Sequence, residues 1–129
     1  MLKSGILNPG ILSLLARVRH TNTLVIADRG FPFWPQIETV DISLVDGIPS
    51  VLQVFQAVTA CCQIGQVYMA EEFLGSNSSE IKERLACAAA GIPFVYEPHV
   101  DFKKRVPSAI GLIRSGDTIQ YANMILVSA

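Results

Sequence analysis

The run Thr23-Leu24-Val25-Ile26-Ala27, closed by Asp28-Arg29-Gly30, constrains this chain more than any other segment. It has the length of a strand, and a strand without polar alternation has to be covered on both faces. Coverage of that kind calls for helices on either side of a sheet. The residues upstream supply one: Asn8 can cap a helix with Pro9 in its first turn, and Ile11, Leu12, Leu15 and Val18 then fall on one face. Asp28 is therefore expected at the carboxyl end of a buried strand, the edge at which open α/β sheets bind ligands.

The same alternation continues. A Pro- and aromatic-rich loop, Phe31 to Pro35, leads to an expected strand over Val40–Leu44 with Asp41 near its middle. Pro49 opens an expected helix through Leu52, Val54, Phe55, Val58 and Cys62. Gln66–Ala70 reads as a strand followed by Glu71-Glu72. Asn77 with Glu80 three residues on resembles a capping box for a helix that Gly91 stops, and Pro93–Tyr96 returns as a strand. Strand and helix in alternation predict a largely parallel sheet. Near the end, Ala109–Ile113 and Tyr121–Val127 flank Ser115-Gly116-Asp117, which reads as a hairpin turn, so the last strands are expected to be antiparallel and the sheet mixed.

Composition narrows the functional classes. A chain of 129 residues is one domain's worth, spanning 1–129. The formal net charge of -1 and the scattered basic residues offer no field for a phosphate backbone, which excludes nucleic acid as a partner. No uncharged apolar run approaches the roughly 20 residues of a spanning helix, so no membrane role is expected. The chain is nevertheless 50% hydrophobic and only 16% charged, with a mean hydropathy of +0.41. So little polar surface favours burial between copies, and a homo-oligomer is expected. The start MLKSGILN lacks the pattern of a signal peptide, and a cytoplasmic protein is expected. Cys61, Cys62 and Cys87 fit neither a CxxC pair nor a zinc spacing, and are expected as buried thiols in helices. Neither a Gly-x-Ser-x-Gly nucleophile turn nor a G-x-G-x-x-G fingerprint is present.

Against this background a few polar residues interrupt the pattern: His20, Asp28, His99, Lys103 and Tyr121-Ala122-Asn123. Tyr121 and Asn123 stand two apart on an expected strand, which would point both side chains to one face. Each candidate also has a plain structural reading. His20 follows Arg17 and Arg19 and suits the carbonyl groups at a helix C-terminus. Asp28 suits a turn cap. His99 after Pro98 suits a helix start, and Lys103-Lys104-Arg105 a solvated face. Glu71 and Glu72, at a strand end, are a further acidic possibility and equally suit surface or interface charges. Trp34 suits either a stacking platform or an apolar interface anchor.

Taken together, Gly5-Ile6-Leu7-Asn8, His20-Thr21, Val25-Ile26-Ala27-Asp28, Gly30-Phe31-Pro32, Gly47-Ile48-Pro49-Ser50, His99 with Phe102-Lys103, Ile113-Arg114-Ser115-Gly116-Asp117 and Tyr121-Ala122-Asn123 resemble, in order and over nearly the whole chain, the D-ribose pyranase and L-fucose mutarotase family. The resemblance implies an α/β fold, a three-layer α/β/α sandwich with a mostly parallel, mixed central sheet. It also implies a ring-shaped, often decameric assembly with sugar bound where neighbouring subunits meet. It makes His20 the general acid, and puts Asp28, His99, Tyr121 and Asn123 around the sugar with Lys103 nearby. The implied ligand is a free monosaccharide, and the implied reaction needs no metal or cofactor: a base removes the anomeric hydroxyl proton while an acid protonates the ring oxygen. Histidine suits such transfers because its ordinary pKa near 6.5 keeps both protonation states accessible. The His-Thr and Tyr-Ala-Asn motifs lean toward ribose over fucose. Arg29 departs from the small residue usual in the ribose branch, and is expected either to pair with an interface carboxylate or to narrow the pocket. Two further readings stay open: a non-catalytic sugar-binding or transport-accessory protein, and an isomerase of another polyol or keto-sugar.

Overall fold

The computed structural model describes residues 1–129. In chain order the elements are α1 (Pro9–Arg17), β1 (Thr23–Ala27), β2 (Glu38–Asp41), α2 (Val51–Thr59), β3 (Ile64–Ala70), α3 (Glu72–Ser76), α4 (Ser79–Ala89), β4 (Phe94–Glu97), α5 (His99–Arg105), β5 (Gly111–Arg114) and β6 (Met124–Ser128). The strands form one six-stranded sheet in the order β2-β5-β1-β6-β3-β4. β5 runs parallel to both β1 and β2, and β4 parallel to β3, whereas β6 is antiparallel to its neighbours β1 and β3. The sheet is thus mixed and mostly parallel, with β6 alone reversed. The hairpin expected around Ser115-Gly116-Asp117 does not form, because β1 lies between β5 and β6 and pairs with both. That turn is held elsewhere. Gly116 N–H donates to the Pro49 carbonyl at 2.8 Å, and Gly47 N–H to the Gly116 carbonyl at 2.6 Å. A Cβ on Gly116 would stand 2.4 Å from the carbonyl oxygens of Val45 and Ile48, so only glycine fits there.

The unbroken apolar run of β1 is explained by a core on each side of it. Leu24 and Ile26 point into the larger core with Ile11 and Leu14 of α1, Val51, Val54, Phe55 and Val58 of α2, and Leu85 of α4. Val25 and Ala27 point the other way, toward Phe31, Phe102 and Val106. Helices therefore cover both faces, giving three layers. Losing a fully buried side chain such as Leu14 would cost about 2–5 kcal/mol.

Local chemistry sets the helix ends, with several shifts from the sequence expectation. Asn8 caps α1, its Oδ1 accepting from Ile11 N–H at 3.0 Å. The buried face of α1 is Ile11 and Leu14, with Leu12 and Leu15 half-buried and Val18 already past the last turn. α2 begins at Val51 rather than Pro49, because Ser50 and Gln53 make a reciprocal capping box. It ends at Thr59, which leaves Cys61 exposed and Cys62 half-buried instead of both being core thiols; Cys87 is also exposed. Ser78, not Asn77, caps α4; the Asn77 amide donates instead to the carbonyls of Phe73 and Gln120 at 2.9 Å. β2 occupies Glu38–Asp41, earlier than the expected Val40–Leu44, since Val45 and Ile48 bridge across a tight loop of their own. No helix is long and apolar enough to cross a membrane.

Candidate active site

The reversal of β6 builds the site. Because β6 is antiparallel to β1 with Ile26 opposite Met124, the residue before β6 meets the residue after β1. Asn123 and Asp28, 95 positions apart, close a two-bond ring: Asp28 N–H donates to Asn123 Oδ1 at 2.7 Å, and Asn123 Nδ2 donates to Asp28 Oδ2 at 3.1 Å. Asp28 Oδ1 accepts from Gly30 N–H at 2.9 Å, which starts the loop toward Pro32. Asn123 is 3% exposed, so its amide satisfies backbone and carboxylate groups that would otherwise be buried without partners.

Tyr121 and Asn123 both face the same cleft, but not by strand alternation. The segment before Met124 is a turn, and Tyr121 takes φ +58°. That left-handed step lets Ala122 turn into the larger core, 6% exposed, while its two neighbours stay on the cleft side.

His99 arrives from the other half of the sheet as the first residue of α5, directly after β4 and Pro98. Its backbone N–H donates to both carboxylate oxygens of Glu72 at 3.0 Å. The ring stacks on Phe102, with centroids 5.9 Å apart, and meets Tyr121 edge-on at 5.2 Å and Phe31 edge-on at 6.3 Å. Burial, and next the Lys103 charge, push the imidazole below its ordinary pKa, against opposing pulls from Glu72 and Asp28. The neutral ring is favoured, and its buried Nδ1 has no partner within the chain. A buried polar atom left free beside a cleft is available to a ligand hydroxyl.

The cleft has a volume of about 340 Å³ and is lined by Asp28, Gly30, Phe31, Pro32, His99, Gln120, Tyr121 and Asn123. It offers a carboxylate, two amides, an imidazole and a phenol against a small apolar wall, a donor and acceptor set matched to a small polyhydroxylated molecule. Of the residues expected at a site, Asp28, His99, Tyr121 and Asn123 come together here. Lys103 sits one turn along α5, half-buried, and acts on His99 through its charge rather than lining the cleft. His20 is not in this cleft. It is exposed at the amino-terminal side of β1, so the strand, five residues at about 3.3 Å each or roughly 17 Å, separates it from Asp28.

Trp34 does not line the cleft either. It packs beside Phe31 at 6.3 Å on the smaller core. Arg29 pairs within the chain, Nη1 to Asp46 Oδ1 at 2.8 Å, with both side chains more than half exposed. Sequence reasoning overlooked Gln120, whose only signal is its place beside Tyr121. Glu72, a further acidic possibility in the sequence with a surface or interface charge as its plain reading, anchors the backbone of His99.

The description "RbsD / FucU transport protein family" belongs to a family model that matches residues 1–129. A D-ribose pyranase of Geobacillus kaustophilus is 40% identical over 128 residues, covering 99% of this chain and 93% of the relative. A D-ribose pyranase of Halalkalibacterium halodurans is 37% identical over 99% of this chain and 97% of the relative. Among solved structures, Bacillus subtilis RbsD complexed with D-ribose superposes with a TM-score of 0.92 at 32% identity, covering 100% of this chain and 98% of that one. The fucose mutarotase of Streptococcus pneumoniae, solved with L-fucose, shares the fold with a TM-score of 0.79 at 19% identity, over 95% and 92% of the two chains.

Proposed function

This chain belongs to the RbsD / FucU transport protein family, and we propose that it interconverts the ring forms of a free monosaccharide, D-ribose first, by acid–base opening and closing of the ring. The observation that carries the reading is the cleft itself: Asp28 locked by Asn123, beside the free Nδ1 of His99 and the Tyr121 phenol. These groups hold and orient sugar hydroxyls. Ring opening then needs one proton taken from the anomeric hydroxyl and one given to the ring oxygen. Closure through the same or another hydroxyl returns an anomer or a different ring size.

In this reading His20 is the general acid, and Lys103 tunes His99 from outside the cleft. His20 lies at the far end of β1, so the acid that reaches a given cleft comes from a neighbouring copy of the chain. The working enzyme is then a homo-oligomer, a decamer by family resemblance, with sugar bound at subunit boundaries. A site shared between copies accounts for the high apolar content and for exposed residues such as Leu44, Val45 and Ile48. Three cysteines without disulfides agree with a cytoplasmic setting.

NMR saturation transfer between the ring forms of D-ribose, and then of L-fucose, tests the proposal. Wild-type protein should accelerate exchange for ribose, and His20→Ala should lose roughly 10²- to 10⁴-fold while remaining folded. Binding of ribose without any acceleration would replace the enzyme by a sugar-binding accessory protein. Acceleration for L-fucose alone would move the substrate to the other branch of the family.

A further inference from the structure

Arg114, the last residue of β5, does not touch the cleft, yet its guanidinium binds the backbone of the loop that walls it. Nη1 donates to the carbonyls of Asp28 at 3.2 Å, Arg29 at 3.3 Å and Phe31 at 2.6 Å, and Nη2 to that of Pro32 at 3.4 Å. The side chain is only 11% exposed, and its one nearby carboxylate, Asp41 Oδ2, stands 3.9 Å from Nε. Here most of its donors are spent on four carbonyls of one five-residue loop. The planar guanidinium reaches acceptors spread along a loop from separate nitrogens, whereas the three donors of a lysine radiate from a single one.

The residues after Arg114 hold the same loop at its root. The Ser115 N–H and Oγ both donate to the Ala27 carbonyl, at 2.8 and 2.7 Å, and Arg29 N–H donates to the Asp117 carbonyl at 3.1 Å. The Asp117 carboxylate in turn fixes the start of α2, accepting from Val51 N–H at 2.7 Å. The loop is thereby tied to β5 and α2 rather than left to fluctuate. Two of its features face the cleft. The Gly30 N–H holds Asp28 Oδ1, and the Phe31 ring packs edge-on against His99.

We propose that Arg114 is a positioning residue for sugar binding: by gathering the carbonyls of Asp28 to Pro32 it sets the direction of the Asp28 carboxylate and the placement of Phe31 against His99. The inference rests on the sugar-isomerase reading of the cleft. Its prediction is a split in kinetic parameters. In Arg114→Met the loop is released while His20 is untouched, so KM for ribose should rise roughly 10- to 10²-fold, the fold-change that losing one charge-assisted hydrogen bond to the sugar produces. The rate at saturating sugar should stay within about threefold, as expected when ground-state and transition-state binding are lost together. Arg114→Lys, which keeps the charge but not the fork, should fall between the two.

The experiment measures ribose saturation curves by NMR exchange for the wild type, Arg114→Met and Arg114→Lys, together with melting temperatures and amide hydrogen exchange over residues 28–32. A raised KM with faster amide exchange confined to that loop supports the proposal. A lowered melting temperature with wild-type KM shows that Arg114 serves stability only and overturns it. If Arg114→Met does not fold, the lysine variant decides: a wild-type KM there overturns the proposal, and an intermediate KM supports it. A wild-type protein that neither binds ribose nor accelerates its exchange defeats the sugar reading instead, and the amide exchange of residues 28–32 still shows whether Arg114 holds the loop.

Discussion

The two ends of β1 are built on opposite principles. At the carboxyl end, Asp28 is fixed by Asn123 and Gly30, and His99 is wedged among Phe31, Phe102 and Tyr121 with its backbone held by Glu72. Every group there has its position set by this chain before any ligand arrives. At the amino end, His20 is exposed, and the hydrogen bonds nearby join its neighbours: Thr21 and Asn22 pair with the Ser128 backbone, and Asn22 Oδ1 accepts from Arg19 N–H at 2.8 Å. One end is a cleft whose polar groups are already positioned, and the other presents an exposed imidazole. On the proposed reading, a single chain carries the two halves of a site on faces that do not meet within it, and a second copy would resolve the separation.

The strongest way to break that comparison is complementation. His20→Ala and Asn123→Ala should each be nearly inactive alone, one lacking the acid and the other the cleft. Co-expressed in equal amounts, they form mixed assemblies in which about one quarter of the sites pair an intact His20 with an intact cleft from its neighbour. Ring-form exchange should recover to about that fraction of wild type. If each chain supplied both halves of its own site, mixing would restore nothing, and the proposal of a shared site would fall.

Stability offers a second and smaller contrast. Removing the Asn123 side chain leaves the Asp28 N–H and carboxylate without their buried partner, and leaving such groups unpaired costs about 1–3 kcal/mol. His20, exposed and with no side-chain hydrogen bond to lose, should change stability by no more than about 0.5 kcal/mol when replaced by alanine. Urea midpoints of the two variants measure the difference. Equal losses would mean that the amino end of β1 is as deeply built in as the carboxyl end.

The contrast also explains what could be read in the sequence. β1 was legible because its apolar run has strand length, is rich in β-branched residues and ends in a turn at Asp28-Arg29-Gly30, and Asp28 marked its carboxyl edge for the same reason. The convergence of Asp28, His99, Tyr121 and Asn123 was legible through family resemblance rather than spacing, since nothing in the local pattern brings together residues 95 positions apart. The expected hairpin at Ser115-Gly116-Asp117 failed because turn chemistry is local, whereas the choice of β1 as the strand between β5 and β6 is made by the whole core. The expected strand placement of Tyr121 failed likewise, as its left-handed φ has no signature in a tyrosine. Gln120 and Arg114 act through geometry that only the fold creates, and His20 was identifiable as a residue but not as one that stands apart from the rest.

The smallest expected effect concerns protons. His99 is held below the ordinary histidine pKa of 6.5, chiefly by burial and then by Lys103, so at mildly acidic pH the unfolded chain binds a proton that the folded chain refuses. Stability contributed by the neutral ring is therefore full above pH 6.5 and is lost as the pH falls through the folded value. Carboxylates elsewhere add their own pH dependence, but they are common to the wild type and to His99→Gln and cancel between them. Urea midpoints measured from pH 7.5 to 5 should show the wild type losing ground relative to His99→Gln only below about pH 6.5. Because the ring is only partly buried, the divergence should be smaller than the loss caused by Asn123→Ala. Parallel curves would mean that the neutral ring is not favoured by folding, and that the carboxyl end of β1 is more open to water than its packing against Phe31, Phe102 and Tyr121 implies.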